Sequence, residues 1–378
     1  MSSLIVAVFV LIILLLSVML GKKNKLFADQ FLILYLVFAA LWHVYIYIEH
    51  TGLLQESYWM LMGKGIYLLH APFLFLYIYA LTRQKKLQAK YMVMLFVPFL
   101  LYVLHFIYYY LWVFDSVDLS ISNGLLYVNG SVAVSWLFFV ISFHLIDPIF
   151  LVLTYALLRD YKRRLLESVS NTQRIGLNWL KLLFSLWLMM SVVLVPIGVL
   201  TVSSGLVSTD FLDMAVQVFS VGFFFTIGFY GFKQTTVFTD LHLKEELSMK
   251  TVSNNYERSG LSALQAKEYH SLLLTLMEEK KPFLNGELTA SELSQMVGIS
   301  PNYLSQVLNK EQKQNFFDFV NGYRVKEMIL KMEDSRNSHL TLLAMALDSG
   351  FNSKTTFNTI FKKATSQTPS QYFKALQK

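Results

Sequence analysis

Cysteine is absent from all 378 residues, which excludes disulfides, thiolate zinc sites and cysteine nucleophiles. A cleavable leader is not apparent either. The first apolar run, Leu4 to Leu20, has no basic start and no small-residue cleavage site before Gly21-Lys22-Lys23-Asn24-Lys25, so it is expected to be a retained span. No phosphate-binding loop or nucleophile triad occurs. The histidines at span depth, His43, His70, His105 and His144, fall singly on four segments, without the i, i+4 pairing that builds a metal site from one helix. The chain is therefore expected not to be an enzyme, with no metal and no cofactor.

What is abundant is apolar surface. The chain is 55% hydrophobic and 15% aromatic, with a mean hydropathy of +0.47, too apolar for a protein whose surface is wetted throughout. Charge gathers at one end: residues 233–378 hold 18 of the 32 Lys and Arg and 15 of the 25 Asp and Glu. One chain therefore meets two solvents.

Seven segments reach the roughly 20 apolar residues that a helix needs to cross hydrocarbon with its backbone amides satisfied. They are 4–20, 27–48, 58–81, 91–114, 132–158, 177–203 and 211–232. Basic residues then set the orientation. Lys22, Lys23 and Lys25 lie in loop one, Arg83, Lys85, Lys86 and Lys90 in loop three, and Arg159, Lys162, Arg163, Arg164 and Arg174 in loop five, whereas the alternate loops carry none. The odd loops are expected in the cytoplasm of an inner-membrane, multi-pass protein, with the N-terminus outside and everything after Phe232 inside.

Ionisable residues within spans are costly and call for a reason. His43, Glu49, Lys64, His70, His105, His144, Asp147 and Asp213 lie mostly in the outer half, as a polar pocket opening outward would require. His43, Lys64, His70, His105, His144 and Asp147 are the candidate ligand-sensing set. His144 and Asp147 share a helical face just before Pro148, as a ligand-binding pair, a proton-linked switch or plain interhelical hydrogen bonding. Pro72, Pro98 and Pro196 mark expected kinks.

After Lys233 the apolar runs shorten. Residues 233–260 read as a polar linker, and 262–279 as a helix with Leu264, Tyr269, Leu272, Leu273 and Leu276 on one stripe, ended by Pro282. From Leu288 a pattern occurs twice: short helix, glycine (Gly298, Gly350), polar cap (Ser300-Pro301; Asn352 or Ser353), second helix. Leu304, Val307 and Leu308 match Phe357, Ile360 and Phe361, each spaced i, i+3, i+4, and must point inward. The outer faces then present Asn302, Ser305 and Gln306 in one copy and Lys354, Thr355, Asn358 and Thr359 in the other, groups suited to base edges. Lys310, Lys362 and Lys363 lie near the helix ends, where phosphates would pass. Between the copies, about 316–332 reads as a long helix anchored by Phe316, Phe319, Val320, Tyr323, Met328 and Ile329. It would fix the two reading helices at one separation, and reading adjacent major grooves on one DNA face needs about 34 Å, one helical turn.

Residues 288–378 resemble the C-terminal DNA-binding domain of the AraC/XylS family of bacterial transcription regulators. The likeness rests on "GISPNYLSQVLNK", "NFFDFVNGYRVKEM" with its Tyr323-Arg324 pair, Ala346 followed by Gly350-Phe351, Phe357 followed by Phe361-Lys362-Lys363, and "TPSQY" at 368–372. The whole layout is similar to membrane-embedded AraC-type regulators. The resemblance implies an all-α fold, a seven-helix transmembrane bundle followed by a soluble domain with two helix-turn-helix units. The domains are 1–232, a sensor; 233–287, a linker and helix; and 288–378, the DNA-binding domain. Tyr303 joins the DNA-contacting set. The implied partners are double-stranded DNA, the lipid bilayer, a small-molecule, lipid or peptide signal, a second copy of the chain on DNA, and RNA polymerase. The alternative is a receptor whose helical tail recruits a protein. The family has glycine after each recognition helix, where this chain has Lys313 and Ser366. A side chain in a left-handed turn costs about 1 kcal/mol, so those turns are expected to differ.

Overall fold

The computed structural model describes residues 2–53, 63–83, 87–108, 119–122, 125–132, 134–172, 178–194, 209–233 and 261–377. The chain divides into two compact units: Met1–Arg159 with Leu177–Thr236, and Asp160–Gly176 with Val237–Lys378.

The first unit is built from apolar helices. α1 (Ser2–Gly21) packs on α2 (Phe27–Thr51), which also packs on α3 (His70–Arg83); α4 (Ala89–Tyr108) packs on the 3-10 turn Gly65–Leu69. α5 (Val134–Ser168) and α6 (Asn178–Leu188, continued as π-helix by Met189–Leu194) precede α7 (Thr209–Lys233), which packs on α1 and α6. One face of each interior helix is buried, as with Ile5, Val8 and Ile12 on α1, Leu32 and Leu36 on α2, and Phe223, Phe224 and Ile227 on α7. Leu14, Met94, Leu104, Val152 and Phe225 are exposed on outer faces, a pattern that water would penalise.

Among the described residues, α1, α2, 65–83, α4 and 214–232 are long and apolar enough to cross a membrane. The other two expected spans fall on α5, of 35 residues, and on α6, whose expected end at 195–203 lies outside the described residues, as does Pro196. Pro98 and Pro148 lie inside helices, and Pro72 lies two residues past His70, where the 3-10 turn Gly65–Leu69 passes directly into α3.

One addition to the helical plan was not expected. β1 (Leu119–Ser122), β2 (Leu125–Val128) and β3 (Ser131–Val132) form an antiparallel meander, with Leu119 opposite Val128 and Val128 opposite Ser131. Asn129 and Gly130 both take positive φ between β2 and β3, as a tight hairpin demands.

The second unit is helical: α8 (Ala263–Glu279), α9 (Ala290–Val297), α10 (Pro301–Val307), α11 (Phe316–Glu333), α12 (Leu342–Asp348), α13 (Lys354–Thr365) and α14 (Pro369–Leu376). It has two cores strung on α11. Phe316, Phe319 and Val320 pack with Leu273, Met277, Leu293, Leu304 and Leu308, whereas Val325, Met328 and Met332 pack with Met345, Phe351, Phe357 and Phe361. At 1.5 Å per residue α11 is about 27 Å long, so one rigid rod holds both halves.

α8 corrects the expected stripe. Its buried line is Ala266, Leu273 and Met277 with Tyr269 and Leu276 beside it, while Leu264 and Leu272 are exposed. The small Ala266 lets the helix settle closely against Leu261, Val307 and Tyr303.

Candidate nucleic-acid interface

In the first copy each turn has a local cause. Thr289 Oγ1 accepts the Glu292 N–H at 3.2 Å while Glu292 Oε2 accepts the Thr289 N–H at 2.9 Å, so a capping box starts α9. Gly298 ends it at φ 78°, and Ser300 Oγ accepts the Tyr303 N–H to start α10 with Pro301 at its first position. Leu304, Val307 and Leu308 are fully buried, as the spacing requires. The second copy repeats the scheme: Thr341 caps α12, Gly350 turns at φ 90°, and Ser353 Oγ accepts the Thr356 N–H. Between the two candidate caps the choice falls on Ser353, because the Asn352 amide donates instead to Gly286 O and Glu287 Oε1. Phe357 and Phe361 are buried and Ile360 partly so.

Lys313, after the π-helical stretch Leu308–Gln312 that continues α10, and Ser366, directly after α13, both retain left-handed turns, at φ 52° and 61°. The expected departure does not occur: packing on both sides outweighs a strain of about 1 kcal/mol per turn.

Asn302, Lys310, Lys354, Thr355, Asn358, Thr359, Lys362 and Lys363 are exposed, and Ser305 and Gln306 half-buried. Tyr303 is placed differently. Its ring packs against Leu261 and Ala266, so it belongs to the seam with α8. Two of the expected phosphate contacts already have partners: Lys310 Nζ donates to Leu261 O at 3.1 Å, and Lys363 Nζ pairs with Asp318 at 2.7 Å. The Lys363 side chain is 70% exposed, so the pair is worth at most about 1 kcal/mol and leaves the ammonium accessible. Residues 288–378 carry 11 basic and 7 acidic groups, a modest excess, and one of the bases is unavailable.

That base is Arg324, on α11 and 1% exposed. Its Nε donates to Phe283 O, Nη1 to Ser170 O and Asn321 Oδ1, and Nη2 to Ser170 Oγ and Asn285 O, all between 2.8 and 3.2 Å. All five donors of the guanidinium are thus used. Burial pulls its pKa down to about 10, opposed by Glu287. Beside it the Tyr323 ring stacks on Phe283, and burial, then Glu278, push its phenol up. The signal in the sequence for this buried cation is a lone arginine amid Val320, Val325 and Met328.

In the first unit the expected sensing residues divide. Asp147, buried on α5, accepts hydrogen bonds from Tyr67 Oη and, at 3.2 Å, from Trp187 Nε1, joining three segments. His70 lies edge-on to Tyr35 and Trp42, with its Nδ1 3.3 Å from Tyr67 O, so it borders the same node. His43 spends its Nδ1 on Ala39 O at 2.8 Å and meets Phe224 edge-on. Lys64 pairs with Glu49 at 3.6 Å, and His105 lies edge-on to Phe106. The His144 and Asp213 side chains lie outside the described residues. A buried ion pair was not expected: Lys22, counted above among the bases of loop one, is 7% exposed, lies 2.7 Å from Asp29, and reaches Gly231 O at 3.3 Å near the end of α7. Among the described residues no three His, Cys, Asp or Glu gather to hold a metal.

Residues 293–375 match a family described as a helix-turn-helix domain, of AraC type. The chain is similar to uncharacterized HTH-type transcriptional regulators of Staphylococcus aureus, strains COL and MSSA476, each 26% identical over 168 residues. The match covers 38% of this chain and 22% of the relative in both cases. The chain thus spans about a fifth of the length of the curated relatives it matches. No solved structure matches.

Proposed function

We propose that the chain is a membrane-held, one-component transcription regulator that binds promoter DNA sequence-specifically through α10 and α13 and responds to an outside or membrane-borne signal. The observation that carries the DNA-binding reading is the pair of capped turn-helix units on one rod, polar outside and apolar inside, within a stretch that matches a helix-turn-helix domain. Asn302, Gln306, Asn358 and Thr355 would read bases, while Lys354, Lys362 and Lys363 hold phosphates. With so small a net charge, affinity would come from two copies on paired sites.

The membrane reading is supported by the apolar helices of the first unit, and the sidedness by an independent fact. Asp160–Gly176, which contains most of the basic loop five, folds within the same unit as the helix-turn-helix pair, so basic-loop orientation and DNA access agree. The Tyr67–Asp147–Trp187 node is the proposed sensing site, since it ties together three segments at a buried carboxylate.

Chromatin immunoprecipitation with sequencing tests this. Occupancy should concentrate at discrete promoters with a shared motif and fall in the Lys354→Ala variant. A tail that crosslinks to one protein and to no DNA would instead make the chain a scaffold receptor.

A further inference from the structure

The connection between α5 and α6 ends up inside the second unit. Val169 forms an antiparallel bridge with Thr289, Ser170 N donates to Leu288 O at 3.2 Å, and Ser170 Oγ donates to the same carbonyl at 2.7 Å. The Ser170 carbonyl in turn accepts from Asn321 Nδ2 at 3.0 Å and from Arg324 Nη1 at 3.2 Å. Val169, Ser170 and Asn171 are all buried, Ser170 to 1% exposure. Two of the five acceptors around Arg324 therefore come from a residue 154 positions away in the chain.

We propose that Ser168–Asn171 is a docking strap, and that Leu288, Thr289, Asn321 and Arg324 form its receptor, giving the DNA-binding unit a second attachment besides the linker after Phe232. The receptor spans two functional parts. Leu288 and Thr289 open α9, and Asn321 and Arg324 lie on α11, so the strap braces the first helix-turn-helix against the rod that sets the spacing of α10 and α13. This makes the docked state the one competent for DNA. The occupant is chosen by the chemistry: an arginine has five N–H donors, Phe283, Asn285 and Asn321 satisfy three, and the serine carbonyl and hydroxyl satisfy the remaining two. A buried guanidinium short of two partners is strongly disfavoured, so strap release must loosen this end of α11. Because α5 carries Asp147 and ends at Ser168, the helix of the sensing node runs into the strap. A change at the node that moves α5 would thus be felt at Arg324.

The inference rests on the DNA-binding reading for its consequence but not for the docking itself, and the tests separate the two. The natural chain has no cysteine, so Val169→Cys with Thr289→Cys gives a clean pair. Antiparallel bridge partners lie about 4.5–5.5 Å apart at Cα, within disulfide reach. In the full chain in lipid nanodiscs the pair should oxidise readily, and adding Ser170→Pro, which removes both donors to Leu288 O, should lower its yield at least about tenfold, with Ser170→Ala intermediate. The Ser170→Pro chain should also bind a duplex selected by the parent chain at least about tenfold more weakly, and the oxidised pair should restore that affinity. Oxidation no faster than in the Val169→Cys single variant would overturn docking. Efficient oxidation with DNA affinity indifferent to Ser170→Pro would overturn the bracing role, whereas a parent chain that selects no duplex would remove the DNA-binding reading and leave the docking result standing.

Discussion

Gly298 and Gly350 occupy the same place in the two helix-turn-helix copies, yet replacing each by alanine should have very different consequences. Both take positive φ, 78° and 90°, so either substitution carries a left-handed strain of about 1 kcal/mol. A Cβ at Gly298 meets nothing within 4 Å, and the cost stops there. At Gly350 a Cβ falls inside contact distance of the Phe283 carbonyl oxygen and 3.0 Å from Arg324 Nε. Those two atoms bond each other, and losing one hydrogen bond of a buried charge adds about 1.5–3 kcal/mol. The total for Gly350→Ala is thus about 2.5–4 kcal/mol, against about 1 for Gly298→Ala. Hydrogen exchange with mass spectrometry on the full chain in nanodiscs reads this directly, through the slowest amides of α11. Gly298→Ala should speed their exchange about fivefold and Gly350→Ala by about two to three orders of magnitude. Equal effects, or a larger effect at Gly298, would refute the claim that Arg324 and the Phe283 carbonyl form a rigid junction under the second turn.

Lys313→Gly and Ser366→Gly should each stabilise the second unit by about 0.5–1 kcal/mol, seen as slower exchange in the adjoining helices, because both positions are already left-handed. Lys22→Ala leaves Asp29 buried without its cation and should destabilise the first unit by about 3–5 kcal/mol, measured as a lower midpoint of thermal aggregation in nanodiscs; Asp29→Asn combined with Lys22→Met should recover much of it. For DNA, Lys354→Ala should weaken binding about equally on all duplexes and reduce the salt slope by about 1, whereas Asn302→Ala with Gln306→Ala should relax sequence choice at a nearly unchanged slope, both by titration at several salt concentrations. Asp318→Asn removes the carboxylate that holds Lys363 and should tighten DNA binding modestly, by about twofold to fivefold.

The helix-turn-helix pair was legible because its causes are local. Glycine at 298 and 350, hydroxyl caps at 300 and 353, and apolar spacing at 304, 307, 308 and 357, 360, 361 each act within one or two turns of chain. The exposed faces followed by elimination for Asn302, Lys354, Thr355, Asn358 and Thr359, whereas Ser305 and Gln306 are half-buried and Tyr303, taken from the resemblance, packs on α8 across the seam. The meander at 119–132 had a signal in Asn129-Gly130, but its short strands sit in a stretch read only as a loop between spans. The partners of Asp147, and the bond from Ser170 to Arg324, join residues 40 to 154 positions apart, and no periodicity reports that. Lys22 misled for a related reason: a lysine after an apolar run reads as a solvated loop base, and only the fold brings Asp29 and Gly231 to it.

The most direct measurement of the central claim is selection of duplexes from a random library by the full chain held in lipid nanodiscs. The account predicts enrichment of one motif with two short elements about 10 base pairs apart, lost when Lys354, Asn358 and Gln306 are replaced together by alanine. A library that emerges without any enriched motif, while the same preparation is folded by hydrogen exchange, would contradict it.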